Sequence, residues 1–79
     1  MLKLKIVSPE SVVYEGDADS VIVPGMLGRF EILNDHAPII SSLTVGILEY
    51  ASHGAKHSID VRGGFVEVKK NEVCVCVEV

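Results

Sequence analysis

The chain has 79 residues, 48% of them apolar, and 7 Lys and Arg stand against 11 Asp and Glu for a formal net charge of −4. This length holds one domain, residues 1–79, and the apolar content argues against disorder. The acidic balance, with Lys69-Lys70 as the one adjacent basic pair, speaks against a nucleic-acid partner.

Leu2, Leu4 and Ile6 alternate with Lys3 and Lys5, the pattern of a strand with one wet face. No run reaches the roughly 18 apolar residues of a membrane span. The alternating start also lacks the continuous apolar stretch of a signal peptide, so the cytoplasm is the default expectation. Ser8-Pro9-Glu10 ends this strand. Val12-Val13-Tyr14 is the next, Glu15-Gly16-Asp17 reads as a turn, and Asp19 to Val23 follows. Pro24-Gly25 has the composition of a type II turn. Gly28 then leads into Phe30, Ile32 and Leu33.

The next stretch, Asn34-Asp35-His36-Ala37-Pro38, is a polar turn closed by a proline. Asn and Asp bond their own backbone, and Pro38 drives Ala37 out of the helical region, so the chain must stop, turn and resume. Ile39 to Ser42 and Leu43 to Tyr50 come next, with Gly46 as a bulge or a short link between strands. Ser52-His53-Gly54-Ala55 is a hairpin turn, and Lys56 to Val61 alternates. Gly63-Gly64 breaks the chain as a backbone crossing or a change of sheet. Phe65 to Val68 is a strand, and Lys69-Lys70-Asn71 is a tight turn. In the last segment Val73, Val75, Val77 and Val79 share one face, with Glu72, Cys74, Cys76 and Glu78 on the other. No helical period exceeds two turns. Roughly nine or ten short Val- and Ile-rich strands mean an all-β domain of two small packed sheets or a flattened barrel.

Little here points to chemistry. His53 and His57 could face each other across their hairpin, but two imidazoles make half a zinc site, and Cys74 and Cys76 lie far along the chain. On a strand those two cysteines have Cα atoms about 6.5–7 Å apart with parallel Cβ vectors, a poor disulfide, so they read as reduced, small apolar side chains. His36, beside Asp35, either caps its own loop or serves an interface. Ser41 and Ser42 lack a nucleophile elbow, and Gly63-Gly64 lacks the Lys-Ser or Lys-Thr of a phosphate loop. The residues read as a binding or structural part, with no catalytic residue, metal or cofactor expected.

Four segments together carry a resemblance. They are Lys5–Glu10 with Val12–Gly16, Asp19–Gly25 with Gly28, Ile32–Ile40 around His36-Ala37-Pro38, and Gly63-Gly64-Phe65-Val66-Glu67-Val68. In this order the chain resembles the N-terminal domain of the epsilon-subunit family of F-type ATP synthases over almost its whole length. The resemblance implies a flattened ten-stranded β-sandwich. It implies a non-catalytic rotor part at the foot of the central stalk, passing torque between the proton- or sodium-driven c ring and the gamma subunit. The location implied is peripheral, on the cytoplasmic face of the bacterial inner membrane. The loop around Arg29 and Glu31 would face the c ring, and the surface around His36 would face gamma. Tyr14, Ile39, Ile40 and either Val66 or Val68 are further candidates for the interface.

The chain departs from the family pattern in three ways. Asn34-Asp35 stands where the family has Pro-Gly, and Arg29 stands where it often has an acid, so the c ring is expected to offer Arg29 a carboxylate or a carbonyl. The family also continues into a C-terminal helical hairpin that restrains hydrolysis and can bind ATP. This sequence is either a naturally short protein, in which case both properties would be absent, or a piece of a longer one. Two rival readings remain at the level of sequence. One is a lipoyl- or biotinyl-type swinging-arm carrier modified at Lys69 or Lys70. The other is a small enzyme using His36, Asp35 and Asp60.

Overall fold

The computed structural model describes residues Met1–Val79. There are nine strands: β1 Leu2–Val7, β2 Val12–Ala18, β3 Ser20–Gly25, β4 Gly28–Ile32, β5 Ile39–Leu43, β6 Gly46–Ser52, β7 Ala55–Val61, β8 Gly63–Lys69 and β9 Glu72–Glu78. They form one continuous sheet in the order β2-β1-β9-β8-β5-β3-β6-β7, with β4 beside β3. All neighbours are antiparallel except β1 and β9, which run parallel. The sheet curls at β5–β3, where a single residue pair, Gly25↔Leu43, makes the join. Five strands, β2-β1-β9-β8-β5, make one layer, and β4-β3-β6-β7 make the other.

The core lies between these layers. Leu2, Leu4 and Ile6 from β1 and Val73, Val75 and Val77 from β9 project into it from one side, and Val21, Val23, Leu48 and Tyr50 meet them from the other. The alternation in these segments predicts this, because successive strand residues point to opposite faces. Val79 is exposed, since β9 ends at Glu78. Val66 and Val68 belong to the core and are not interface residues. They lie on β8, buried beside Val75 and Val73.

Nine strands form where the resemblance implied ten, and two expected turns are strand. Glu15-Gly16-Asp17 continues β2, because β1 offers it an unbroken register from Leu2↔Ala18 to Ile6↔Tyr14. The break falls at Asp19, whose N–H donates to the Ala51 carbonyl at 2.7 Å as the chain changes layers. Pro24-Gly25 ends β3, and the turn itself is Met26-Leu27. Pro24 needs no N–H partner, and its carbonyl accepts from the Thr44 N–H at 2.9 Å. Gly25 sits in the corner, where a Cβ would lie 2.7 Å from the Gly28 carbonyl oxygen and 2.9 Å from the Phe30 ring.

The other turns fall where the sequence puts them. His53 and Gly54, and Lys70 and Asn71, all have positive φ, the arrangement of two-residue hairpins. One link is displaced: Thr44-Val45, expected inside the Leu43–Tyr50 run, joins the strands, and Gly46, expected as a bulge or link, opens β6. Arg62 carries the chain from β7 in one layer to β8 in the other, and Gly63-Gly64 starts the new strand. Gly64 has φ 137°, and a Cβ there would strike the Cys76 carbonyl of β9. At the far edge the layers close through aromatic rings. Tyr14 and Tyr50 have centroids 4.5 Å apart, and His57 stacks on Tyr50 at 5.0 Å. His57 is therefore paired across from Tyr50 and does not face His53, which sits in the turn.

Gly64→Ala should be far more damaging than Gly54→Ala. Gly54 also has positive φ but faces open space, so alanine there costs about 1 kcal/mol. At Gly64 the backbone collision adds to the strain, for about 3 kcal/mol or more, or roughly 12 °C or more in Tm. Equal melting temperatures for the two variants would contradict this packing. A second expectation concerns alkaline pH. Burial, then the neighbouring Tyr14, raises the Tyr50 hydroxyl above its usual 10.0. The neutral ring therefore stabilises the fold fully below pH 10. That contribution is lost as pH rises through the folded value, because the unfolded chain gives up its proton first. Urea midpoints should fall less steeply above pH 10 for Tyr50→Phe than for the unaltered chain.

Candidate functional site

The central turn is a four-residue turn, Leu33-Asn34-Asp35-His36, closed by the His36 N–H donating to the Leu33 carbonyl at 3.1 Å. Asp35, at the second central position, has φ 65°, the type II arrangement. Pro-Gly is the composition this geometry favours, so Asn34-Asp35 makes the same turn at the cost of a left-handed non-glycine residue. Asn71 compensates. Its Oδ1 accepts from the Asp35 N–H at 2.6 Å, and its Nδ2 donates to Asp35 Oδ1 at 3.2 Å. The central turn is thus clasped to the β8–β9 hairpin.

His36 is half-buried on this clasped turn. Its Nδ1–H donates to the Ala37 carbonyl at 2.7 Å, and its ring lies 6.5 Å from that of Phe30. The imidazole caps its own loop through Nδ1, which turns Nε2 away from that bond. Pro38, Ile39 and Ile40 continue the surface. They form one wall of a shallow groove whose other side carries Glu67, Lys69 and Lys70. Ile39 packs against the core, whereas Ile40, opposite Glu67, is 73% exposed. Of the four apolar residues suggested with Tyr14, only Ile40 is largely free.

A second exposed region lies at the other end of the same strands. Arg29 and Glu31 are exposed on β4, on the outer face of the smaller layer. An Arg29 guanidinium N–H donates to the Ile47 carbonyl at 2.6 Å, and the group lies 3.8 Å from the Glu49 carboxylate. Glu31 and Glu49 flank Ile22 in one cross-strand row, so this face is mixed in charge and leans acidic. Sequence reading missed the neighbouring Met26 and Leu27, which form the tip of the β3–β4 hairpin, with Leu27 fully exposed. Val45 and Ile47 are exposed near the same end. The signal was present as an apolar pair between Gly25 and Gly28, where turns are ordinarily polar.

Tyr14 is committed to its own fold. Its hydroxyl donates to the Asp17 carbonyl at 2.8 Å and lies 3.1 Å from Ser52 Oγ. Asp60 is on β7 opposite Ile47 and is not gathered with Asp35 and His36; no three His, Cys, Asp or Glu side chains form a metal-holding group. The structure therefore presents two exposed surfaces at opposite ends of β4 and β5, and no cleft with converging acid, base and nucleophile.

A family model described as ATP synthase, Delta/Epsilon chain, beta-sandwich domain matches residues 1–79. Among curated relatives, the ATP synthase epsilon chain of Leptospira interrogans serovar copenhageni is 43% identical over 77 residues, covering 98% of this chain and 61% of the relative. That of Carboxydothermus hydrogenoformans is 47% identical over 74 residues, covering 94% and 55%. The chain thus spans 61% or less of these relatives' length. Among solved structures, a chain of the Euglena gracilis mitochondrial ATP synthase (OSCP/F1/c-ring) superposes with a TM-score of 0.90 at 20% identity, over 96% of this chain and 49% of that one. A chain of the Tetrahymena thermophila mitochondrial ATP synthase central stalk/c-ring gives 0.85 at 15% identity, over 99% and 63%. At these identities the superpositions speak for the fold alone, and the family follows from the match over every residue: the chain belongs to the ATP synthase Delta/Epsilon-chain β-sandwich family.

Proposed function

We propose that this domain is a non-catalytic connector in the rotor of an F-type ATP synthase, joining the c ring to gamma. It would sit peripherally on the cytoplasmic face of a bacterial membrane. The observation that carries the reading is the placement of two exposed surfaces at opposite ends of the same strands. β4 has Arg29 near the Met26-Leu27 tip and Ile32 near the central turn. β5 has Leu43 near that tip and Ile39-Ile40 near the turn. Five-residue strands set the two ends roughly 15 Å apart. Between them lies a hydrogen-bonded sheet around a buried core, a body that transmits a push without yielding.

The Ile39-Ile40 groove and His36 suit gamma. The turn is held by Asn71, so its shape is set before binding and little ordering cost remains. The Arg29 end suits the c ring. Arg29 already has a carbonyl and a carboxylate within its own chain, so a ring carboxylate would share a guanidinium that is still half-exposed. Met26 and Leu27 supply the apolar contact that a surface ion pair lacks. The swinging-arm alternative is not favoured. Lys70 is at a hairpin tip, but its neighbour Asn71 is tied to Asp35, and the family match covers the whole chain.

Co-expression with the gamma subunit of the same organism tests this, and the chain should elute with gamma at one to one. Ile40→Asp should weaken that complex by about tenfold or more, since an exposed isoleucine buried on binding contributes roughly 1.5–3 kcal/mol. Arg29→Glu should leave the gamma complex intact and reduce retention on assembled c ring. Failure to bind a folded gamma would end the reading, and equal loss of both partners in both variants would end the division of surfaces.

A further inference from the structure

We propose that Cys74 and Cys76 form a two-sulfur site for a soft monovalent d10 cation, Cu(I), on the outer face of the five-stranded layer. Both thiols are free and half-exposed, and residues two apart on a strand project from the same face. β9 is hydrogen-bonded to β1 on one side and β8 on the other, so its backbone cannot pucker to bring the cysteines closer.

That rigidity excludes one partner chemistry and favours another. A disulfide needs Cβ atoms about 3.5–4.5 Å apart, and strand neighbours two residues apart are about 6.6–6.8 Å apart. A bridging ion needs far less approach. Two metal–sulfur bonds of about 2.3 Å in line put the sulfurs about 4.6 Å apart, which two side chains leaning together along the strand reach. No third His, Cys, Asp or Glu completes a group, so zinc, calcium and magnesium are not served. Two thiolates alone suit the soft ion.

The surroundings fit the charge. Lys5 on β1 pairs with Cys74 and offsets part of the charge of two thiolates and one cation. Glu67 on β8, opposite Cys74, and Glu72 and Glu78 on β9 itself oppose it. Cys76 lies between Val7 and Phe65 in its cross-strand row, so the neighbours of that sulfur are apolar. Binding forms two sulfur–metal bonds and sends both thiol protons to solvent.

The test is anaerobic titration of the full chain with Cu(I) buffered by bathocuproine disulfonate, with X-ray absorption of the loaded protein. The expected result is one ion per chain, held by two sulfurs, with proton release. Cys74→Ser and Cys76→Ser should each lower affinity by about a hundredfold while the thermal melt of the metal-free chain stays unchanged. Two ions per chain, full affinity in either single variant, or loss of all Cu(I) to the chelator would overturn the proposal. If a serine variant melts early, alanine at the same position repeats the comparison.

Discussion

The fold depends on one corner. A single sheet of nine strands becomes two layers only because it turns sharply at β3–β5, where one residue pair, Gly25↔Leu43, joins them. The corner is held by two further bonds, from the Met26 N–H to the Ser42 carbonyl at 3.1 Å and from the Thr44 N–H to the Pro24 carbonyl at 2.9 Å. A side chain at position 25 would meet both the Gly28 carbonyl and Phe30, so the corner closes only with glycine there. Without it the apolar faces of β1, β9 and β8 have nothing to pack against. Burial of those faces is the dominant source of stability in a chain this short.

The same corner explains the layout of the exposed surfaces. Bending the sheet there brings the Met26-Leu27 tip beside Thr44-Val45 and leaves the other ends of β4 and β5 to the central turn. The two ends are built differently. The central turn carries a left-handed Asp35 that glycine would tolerate more easily, and Asn71 holds it in place from another hairpin. The tip carries an apolar pair in a turn that needs none for folding. One end has its shape stabilised from within the fold, whereas the other keeps apolar surface unsatisfied.

The outer face of the larger layer follows its own order. Cross-strand rows set Lys69 beside Glu72 and Glu72 beside Lys3, then Glu67, Cys74 and Lys5, then Phe65, Cys76 and Val7. Opposite charges alternate across strands in the first row, which contributes a few tenths of a kcal/mol per pair and keeps this end of the face wet. The cysteines interrupt that order at its middle.

Much of the fold was legible in the chain alone. Alternation in Leu2-Leu4-Ile6 and Val73-Val75-Val77 determined which residues enter the core, because the side-chain period of a strand is local and rigid. The hairpins at His53-Gly54 and Lys70-Asn71, the stop at Asn34–Pro38 and the break beside Gly63-Gly64 were equally local, and so was the family pattern. Tertiary structure decided what depends on partners distant in sequence. β2 runs through Glu15-Gly16-Asp17 because β1 pairs with it along its length, and Pro24-Gly25 became a corner because Leu43 lies beside it. Val66 and Val68 went inward and Ile40 outward although all three sit in apolar runs, because only the packing of the second layer chooses which face is covered. Asp35 found Asn71 across 36 positions, a pairing that no spacing announces and that only the fold creates.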